Sequence, residues 1–294
     1  MVEIGDLLLA MYGATSGDIA VSKIKGAINQ AILCIRTKQN KKFIESVWNK
    51  HVSKNLRKYL QGGQGNLSAD IVKGISFFFP TLKEQEKIAN LVSLLDERIA
   101  TQNKIIDKLQ SLIKGIRNDV FGKLRKSVGF NAMISDVLSY EQPQPYIVEN
   151  TEYTAEGIPV LTANKAFVLG YTSETNGIYD KGDCIIFDDF TLDCKYVDFP
   201  YKIKSSAIKI LTAKNKELLR YTFEFLKYLD LSTEEHKRHY IAETQNQEFI
   251  LPTEQINKTI AHIFSTLSVR METAVKQRNV FEKQKQYLLR QMFI

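Results

Sequence analysis

The densest group of side chains able to bond a nucleic acid lies between residues 236 and 247. His236-Lys237-Arg238-His239-Tyr240, followed by Thr244-Gln245-Asn246-Gln247, sets two cations, two imidazoles, an aromatic ring and several amides close together. Cations reach phosphates, an arginine can bond guanine bidentately, and glutamine or asparagine can bond adenine. A smaller grouping of the same kind occurs earlier, at Arg57-Lys58-Tyr59 leading to Gln61 and Gln64. Lys165, Tyr171, Lys202 and Lys204 flank strand-like runs, where lysine would add salt-dependent, sequence-blind affinity. Each group also reads as an ordinary solvated surface, and the residue types alone leave both readings open.

Asp188-Asp189, with Asp193 and Lys195, has the residue types of a metal-dependent nuclease site, but no third well-placed acid follows. A surface loop fits better, where acids could accept from cytosine N4 or order cations such as Lys195. Gly62-Gly63-Gln64-Gly65 is not a phosphate-cradling loop, because no Gly-Lys-Ser/Thr follows it. His51 and His262 sit in helical patterns, and no Ser/His/Asp or Cys/His grouping stands out. The residues supply no catalytic set, and no metal or cofactor is expected.

Two long helices must carry these groups. From Pro80 to Phe121 apolar residues fall at Ile88, Val92, Leu95, Ile99, Ile106, Leu109, Ile113, Ile116 and Val120, with Gln102 the one polar slot. That heptad seam predicts a coiled-coil helix, a rod of roughly 50 Å. Its partner is the C-terminus. Phe79-Pro80-Thr81 recurs as Leu251-Pro252-Thr253, and the same offset carries Ile88-Ala89 onto Ile260-Ala261, Leu95 onto Leu267 and Phe121 onto Phe293. The second seam reads Ile260, Phe264, Leu267, Met271, Ala274, Arg278, Phe281, Lys285, Leu288 and Met292. Gln102, Arg278 and Lys285 read either as register and docking residues or as a frayed stretch.

The stretches before the helices repeat too. Gly5-Asp6 and its strand return as Gly182-Asp183 and Cys184 to Phe187, and Ala31 to Ile35 returns as Ala207 to Leu211. The helix predicted from Lys41 to Leu60 matches Lys216 to Leu229; Gly74 to Phe79 reads as the last strand before the first long helix, and its Phe77 to Phe79 matches Phe249-Ile250-Leu251. Ser68 is a candidate cap for a short turn. Gly157 to Thr162 and Phe167-Val168-Leu169 read as further strands of the second copy. The second copy has about fifty residues ahead of its Gly-Asp and the first has four, so Met1 is expected to begin inside a domain.

Composition agrees with a two-domain chain of ordinary globular type: 294 residues, 44% hydrophobic and 25% charged. The net charge of +7 leans toward a polyanionic partner. Cys34, Cys184 and Cys194 are scattered, as reduced thiols in a cytoplasm would be. No apolar run approaches the roughly 18 residues of a membrane span, and Glu3 and Asp6 do not suit a signal peptide.

Two globular units alternating with two matching long helices resemble the specificity subunit of type I restriction-modification enzymes. The resemblance is carried by Phe79-Pro80-Thr81-Leu82-Lys83-Glu84-Gln85-Glu86-Lys87-Ile88, Leu94-Leu95-Asp96, Val120-Phe121, Gly157 to Thr162 and the two Gly-Asp strands. It departs at Ile256-Asn257, which stands where Glu84-Gln85 stands in the first copy, and in the short first domain. It implies an α+β fold in which two α/β target-recognition domains, the first incomplete, alternate with helices paired as an antiparallel coiled coil. The expected divisions are 1–79 for the partial domain, 80–125 for the central helix, 126–251 for the intact domain and 252–294 for the distal helix.

The resemblance also implies a non-catalytic subunit that reads a split site in double-stranded DNA. Adenine methylation and ATP-driven cleavage would belong to methyltransferase (M) and restriction (R) partner subunits gripping the helices. A rod of roughly 50 Å would separate two readers by more than one turn of B-DNA, about 34 Å. The rival readings are a coiled-coil interaction scaffold, a stand-alone nuclease, an inactive remnant, and a half-reader that forms a homodimer through its helices.

Overall fold

A short strand with a continuous apolar run starts each copy of the repeat, and glycine opens each. Gly5 and Gly182 both have φ in the left-handed region, +87° and +98°, where a side chain would be strained. The computed structural model describes residues 1–58, 67–163, 166–233 and 237–292, leaving aside the side chains of 53–58. The chain divides into two units, Met1–Ile106 with Thr273–Ile294, and Asp107–Glu272.

In the first unit β1 (Leu7–Ala10) lies between β2 (Ile19–Val21) and β3 (Ile32–Ile35), antiparallel to both. Leu7 and Leu9 point to the buried face, as the period of two requires. Asp6 accepts from the backbone of Glu3 and from Arg36, which hold its carboxyl down at about 2. α1 (Lys41–Lys58) buries Phe43, Val47 and Trp48, and the Trp48 indole donates to the Gly17 carbonyl at 2.7 Å. α2 (Ala69–Lys73) is capped by Ser68, whose hydroxyl accepts from the Ile71 N–H at 3.1 Å.

α3 (Leu82–Ser127) opens with a capping box. The Thr81 hydroxyl accepts from the Glu84 N–H while the Thr81 N–H and hydroxyl donate to the Glu84 carboxylate. Buried Gln85 donates to Gln39 and the Pro80 carbonyl and accepts from the Asn40 N–H, tying the helix start to the start of α1.

The second unit is larger. It contains β4 (Ala132–Met133), α4 (Ile134–Val137), β5 (Leu138–Glu141), β6 (Ile158–Leu161), β7 (Val168–Thr172), β8 (Cys184–Asp188), β9 (Cys194–Val197), β10 (Lys202–Ile203), β11 (Ile208–Ala213), α5 (Leu219–Leu229) and β12 (Glu248–Phe249). β5-β11-β8-β9 form one antiparallel sheet, β10-β6-β7 a mixed one, and β12 pairs with β4. β8 is buried along its whole length. Its Ile185 and Phe187 join the core beneath α5, and Cys184 and Ile186 face the core shared with β6 and β10. Such a central strand carries apolar residues on both faces.

α6 (Glu254–Met292) is the second long helix. In the first unit Ile88 of α3 clusters with Leu289 of α6, Asp96 pairs with Lys285, and the Arg98 guanidinium lies 5.8 Å from the Phe281 ring. Rising positions on one helix meet falling positions on the other, so the two run antiparallel there. Within the second unit Ile113, Ile116 and Phe121 of α3 pack with Ile260, Phe264 and Leu267 of α6. The fold is therefore α+β, with domains alternating with long helices.

Three features differ from, or refine, the expectation. Gly74 to Phe79 is not a strand: Phe77 packs against Trp48 and His51, Phe79 against Phe43, and Phe78 is 95% exposed. Its counterpart β12 is a strand because β4 pairs with it, and 74–79 have no such partner among the described residues. The change from Gln85 to Asn257 preserves a role, since buried Asn257 donates to the Glu217 carbonyl just before α5. Lys285 is not frayed: its ammonium and that of Lys42 both bond Asp96. Arg278 turns to Asn279 and Glu282 on its own helix, and the side-chain oxygen of Gln102 is buried without a partner among the described residues.

Burial raises the Asp96 carboxyl, but the bonds from Lys285 and Lys42 outweigh it and the net shift is downward. A lowered folded value contributes stability that is complete above the ordinary carboxylate range, about pH 4, and fades as pH falls through the folded value. Asp96→Asn is expected to cost about 1–2 kcal/mol at pH 7. The gap between wild-type and variant melting midpoints should then narrow from pH 6 to pH 3. A gap that stays constant over that range would refute the charge-based account.

Candidate nucleic-acid interface

Residues 237–247 lie against the hairpin that joins β8 to β9. Asp189, 1% exposed, holds them there: one carboxylate oxygen accepts the backbone N–H of His239 at 3.1 Å and of Tyr240 at 2.8 Å. The Asp189 carbonyl also accepts from the His239 N–H at 3.1 Å, and the Asp189 N–H donates to the Ala207 carbonyl at 2.8 Å. The neighbouring carboxylate, Asp188, accepts from the N–H groups of Phe190 and Thr191, both at 2.9 Å, which shapes the hairpin tip. Leu192 completes that tip in the left-handed region, with φ +60°. Both carboxylates are thus engaged by backbone N–H groups, Asp188 within the hairpin tip and Asp189 across to residues 239 and 240.

On the outside of this knot the Arg238 guanidinium lies 6.0 Å from the centre of the Phe190 ring, and both side chains are exposed. Lys237 pairs with Glu243 at 2.9 Å, and the His239 ring nitrogen bonds the same carboxylate at 2.8 Å. Those two bonds, the lysine's first, hold the Glu243 carboxyl below its usual range. Gln245 is half-buried and donates to the Ile241 carbonyl at 2.8 Å, fixing its amide.

Two residues of the predicted cluster face the interior. Tyr240 is a core residue between the rings of Phe187 and Tyr140, at 5.4 and 5.6 Å, and burial pushes its phenol upward. The His239 side chain is buried as well, leaving the surface to Lys237 and Arg238. Both are drawn inward because Asp189 captures their backbone. His236 and Lys165 lie outside the described residues, as do Gln61, Gln64 and the rest of the glycine-rich loop. Arg57 and Lys58 end α1, with side chains outside the description.

The remaining expected residues are dispersed. Tyr171 stands exposed on β7 and Lys204 follows β10, both by the second sheet. Lys195 on β9 pairs with Asp193, which Lys227 of α5 also bonds at 2.7 Å. Lys202 is not a strand-flanking surface cation. It is buried and bonds Glu174 and the Asn176 carbonyl, both at 2.7 Å.

Phe190 and Lys209 escaped the pattern. Phe190 carries no signal of its own, since one aromatic in a hairpin is common. Lys209 does carry one: it is a cation inside the apolar run Ala207-Ile208-Lys209-Ile210-Leu211, and a buried charge needs a partner.

Residues 2–111 match the family model described as type I restriction modification DNA specificity domain. A 126-residue segment, 40% of the chain, is 44% identical to the EcoR124I/EcoR124II type I restriction enzyme specificity subunit of Escherichia coli. A 128-residue segment, 42% of the chain, is 27% identical to the MjaVIII specificity subunit of Methanocaldococcus jannaschii. These alignments span 31% and 29% of the relatives' own lengths. The fold is that of the type I restriction-modification S subunit from M. genitalium, with a TM-score of 0.69 over 99% of this chain and 83% of that one at 15% identity. A chain from a structure addressing complex assembly of the type I system aligns over 99% of this chain and 82% of its own, with a TM-score of 0.53 and 14% identity. Residues 2–111 of the chain are thus similar to a type I restriction modification DNA specificity domain, and its fold is similar to that of type I restriction-modification S subunits.

Proposed function

We propose that this chain reads DNA sequence within a type I restriction-modification complex and leaves the chemistry to partner subunits. The observation that carries the reading is the match of residues 2–111 to a DNA specificity domain. The second unit supports it with an exposed arginine and amides held on a structured loop. Residues 1–79 and 126–251 act as the two readers, and 80–125 and 252–294 as the helices that methyltransferase and restriction subunits grip. Each reader takes one half of a bipartite site in double-stranded DNA. Exposed Lys237 and Lys204 supply phosphate contacts, Arg238 and Gln245 supply base contacts, and Tyr171 and Lys195 lie at the margin.

The test is a map of N6-methyladenine in cells co-expressing the chain with a cognate methyltransferase subunit. A split motif is the expected result, and a palindromic motif would indicate a dimer of the second unit instead. If the methyltransferase subunit is active with another specificity subunit and this chain yields no methylation, the reading fails.

Salt supplies an independent check. Binding that depends on phosphate contacts should weaken steeply with ionic strength, by roughly 10³ or more between 50 and 200 mM salt if about six phosphates are engaged. Affinity for duplex DNA that is flat across that range would exclude this mode of binding.

A further inference from the structure

We propose that Asp189 and Lys209 are a positioning pair that sets Arg238 on Phe190 as one base-reading unit, with guanine as its target. This rests on the DNA-reading role proposed above for the second unit. Three segments converge on the pair. Asp189 belongs to the β8–β9 tip and holds the N–H groups of His239 and Tyr240. Lys209 lies on β11 opposite Phe187, is 1% exposed, and donates to Gln142 at 2.8 Å just past β5. Its ammonium stands 3.6 Å from the second Asp189 oxygen and 5.9 Å from the Tyr140 ring centre.

At 3.6 Å the pair attracts by charge without a direct hydrogen bond, and that oxygen has no hydrogen-bond partner among the described residues. Such a pair is a poor stability device, because burying two charges offsets most of their attraction. It does supply direction. A carboxylate held on one side by a fixed ammonium offers its other oxygen along a fixed line, and two consecutive backbone N–H groups follow that line. Arg238 immediately precedes the captured residues and Phe190 immediately follows the capturing one. The buried pair therefore determines the distance between the two exposed side chains.

A guanidinium laid on an aromatic face keeps its N–H edges outward and loses little freedom on binding. That edge matches the two acceptors of guanine in the major groove, O6 and N7. Among the described residues Arg238 makes no side-chain hydrogen bond or ion pair, whereas the neighbouring Lys237 is already paired with Glu243. The hairpin tip is thus a reading element jointly with the 237–247 segment.

Selection of binding sequences from a randomised duplex pool by the purified full-length chain tests this. Arg238→Ala and Phe190→Ala should each relax the preference at the same base position, by about 5- to 150-fold in discrimination. Asp189→Asn should relax that position too, without changing the slope of affinity against salt, because phosphate contacts remain. The double replacement Asp189→Asn with Lys209→Met removes both charges and guards against loss of folding; it should bind duplex yet show the same relaxed position. If either Asp189 variant keeps wild-type discrimination while Arg238→Ala loses it, the positioning role is overturned and DNA reading stands. If Arg238→Ala keeps the wild-type preference, the assignment of the reader itself is overturned.

Discussion

Glu224→Ala is expected to destabilise the second unit by about 3–5 kcal/mol, the cost of stranding buried charges. The Glu224 side chain is 2% exposed, and among the described residues no other carboxylate bonds Arg117 or Arg220. Arg117 of α3 donates to one of its oxygens through two nitrogens, at 3.0 and 2.7 Å, and Arg220 donates to the other at 2.8 Å. Arg220 also bonds the Phe264 carbonyl and the Ser268 hydroxyl of α6, and lies over the rings of Tyr196 and Phe223. Glu224 and Arg220 of α5 thus tie that helix to both long helices inside the unit, the first to α3 and the second to α6. Removal of Glu224 leaves two guanidinium groups close together with no counter-charge. Urea unfolding should show the midpoint falling while the slope is unchanged. Glu224→Gln, which retains an acceptor, should lose less than the alanine variant. A loss below about 1 kcal/mol for Glu224→Ala would mean that solvent reaches both arginines.

Phe121→Ala should be comparably severe, about 3–5 kcal/mol, for an apolar reason. Phe121 is fully buried near the end of α3. It meets Tyr221 and Phe225 edge-on, at 5.2 and 5.5 Å between ring centres, and stacks on Tyr228 at 5.3 Å. Phe225 and Tyr221 in turn pack on Phe249 of β12, so the ring joins the helix to the domain's last strand. Alanine there would leave a void that rigid aromatic neighbours cannot fill. Phe121→Leu keeps most of the volume and should cost on the order of 1–2 kcal/mol. Equal losses for the two variants, measured by calorimetry, would show that the site collapses rather than leaving a cavity.

Both residues lie on features with opposite visibility. Phe121 ends a motif that recurs in the second helix, and its role as a seam-end residue was readable from spacing. Glu224 sits in a helix whose apolar residues were readable, but its two arginine partners are 107 and 4 residues away. Nothing local distinguishes a glutamate that binds two buried arginines from one on a wet surface. The same holds for Asp189, whose partners lie 50 and 51 residues downstream. Tyr240 shows the converse: in sequence it extends a basic, polar run, and in space it is core. The 74–79 segment reads as a strand because three phenylalanines favour one, yet a strand also needs an edge to pair with.

Sequence alone was enough to specify the repeat, the two heptad seams, the Gly-Asp strand openings and the cap at Ser68. These depend on contacts within a few residues or on a period that continues for many turns, so each stands in a short window. Tertiary structure alone decided which polar residues are buried and what they hold. It placed Gln85 and Asn257 at equivalent joints, matched Lys285 to Asp96, and used Asp189 with Lys209 to carry Arg238 onto Phe190. A buried polar group is stable only when a partner from elsewhere in the chain completes its hydrogen bonds or balances its charge, and that meeting is created by folding.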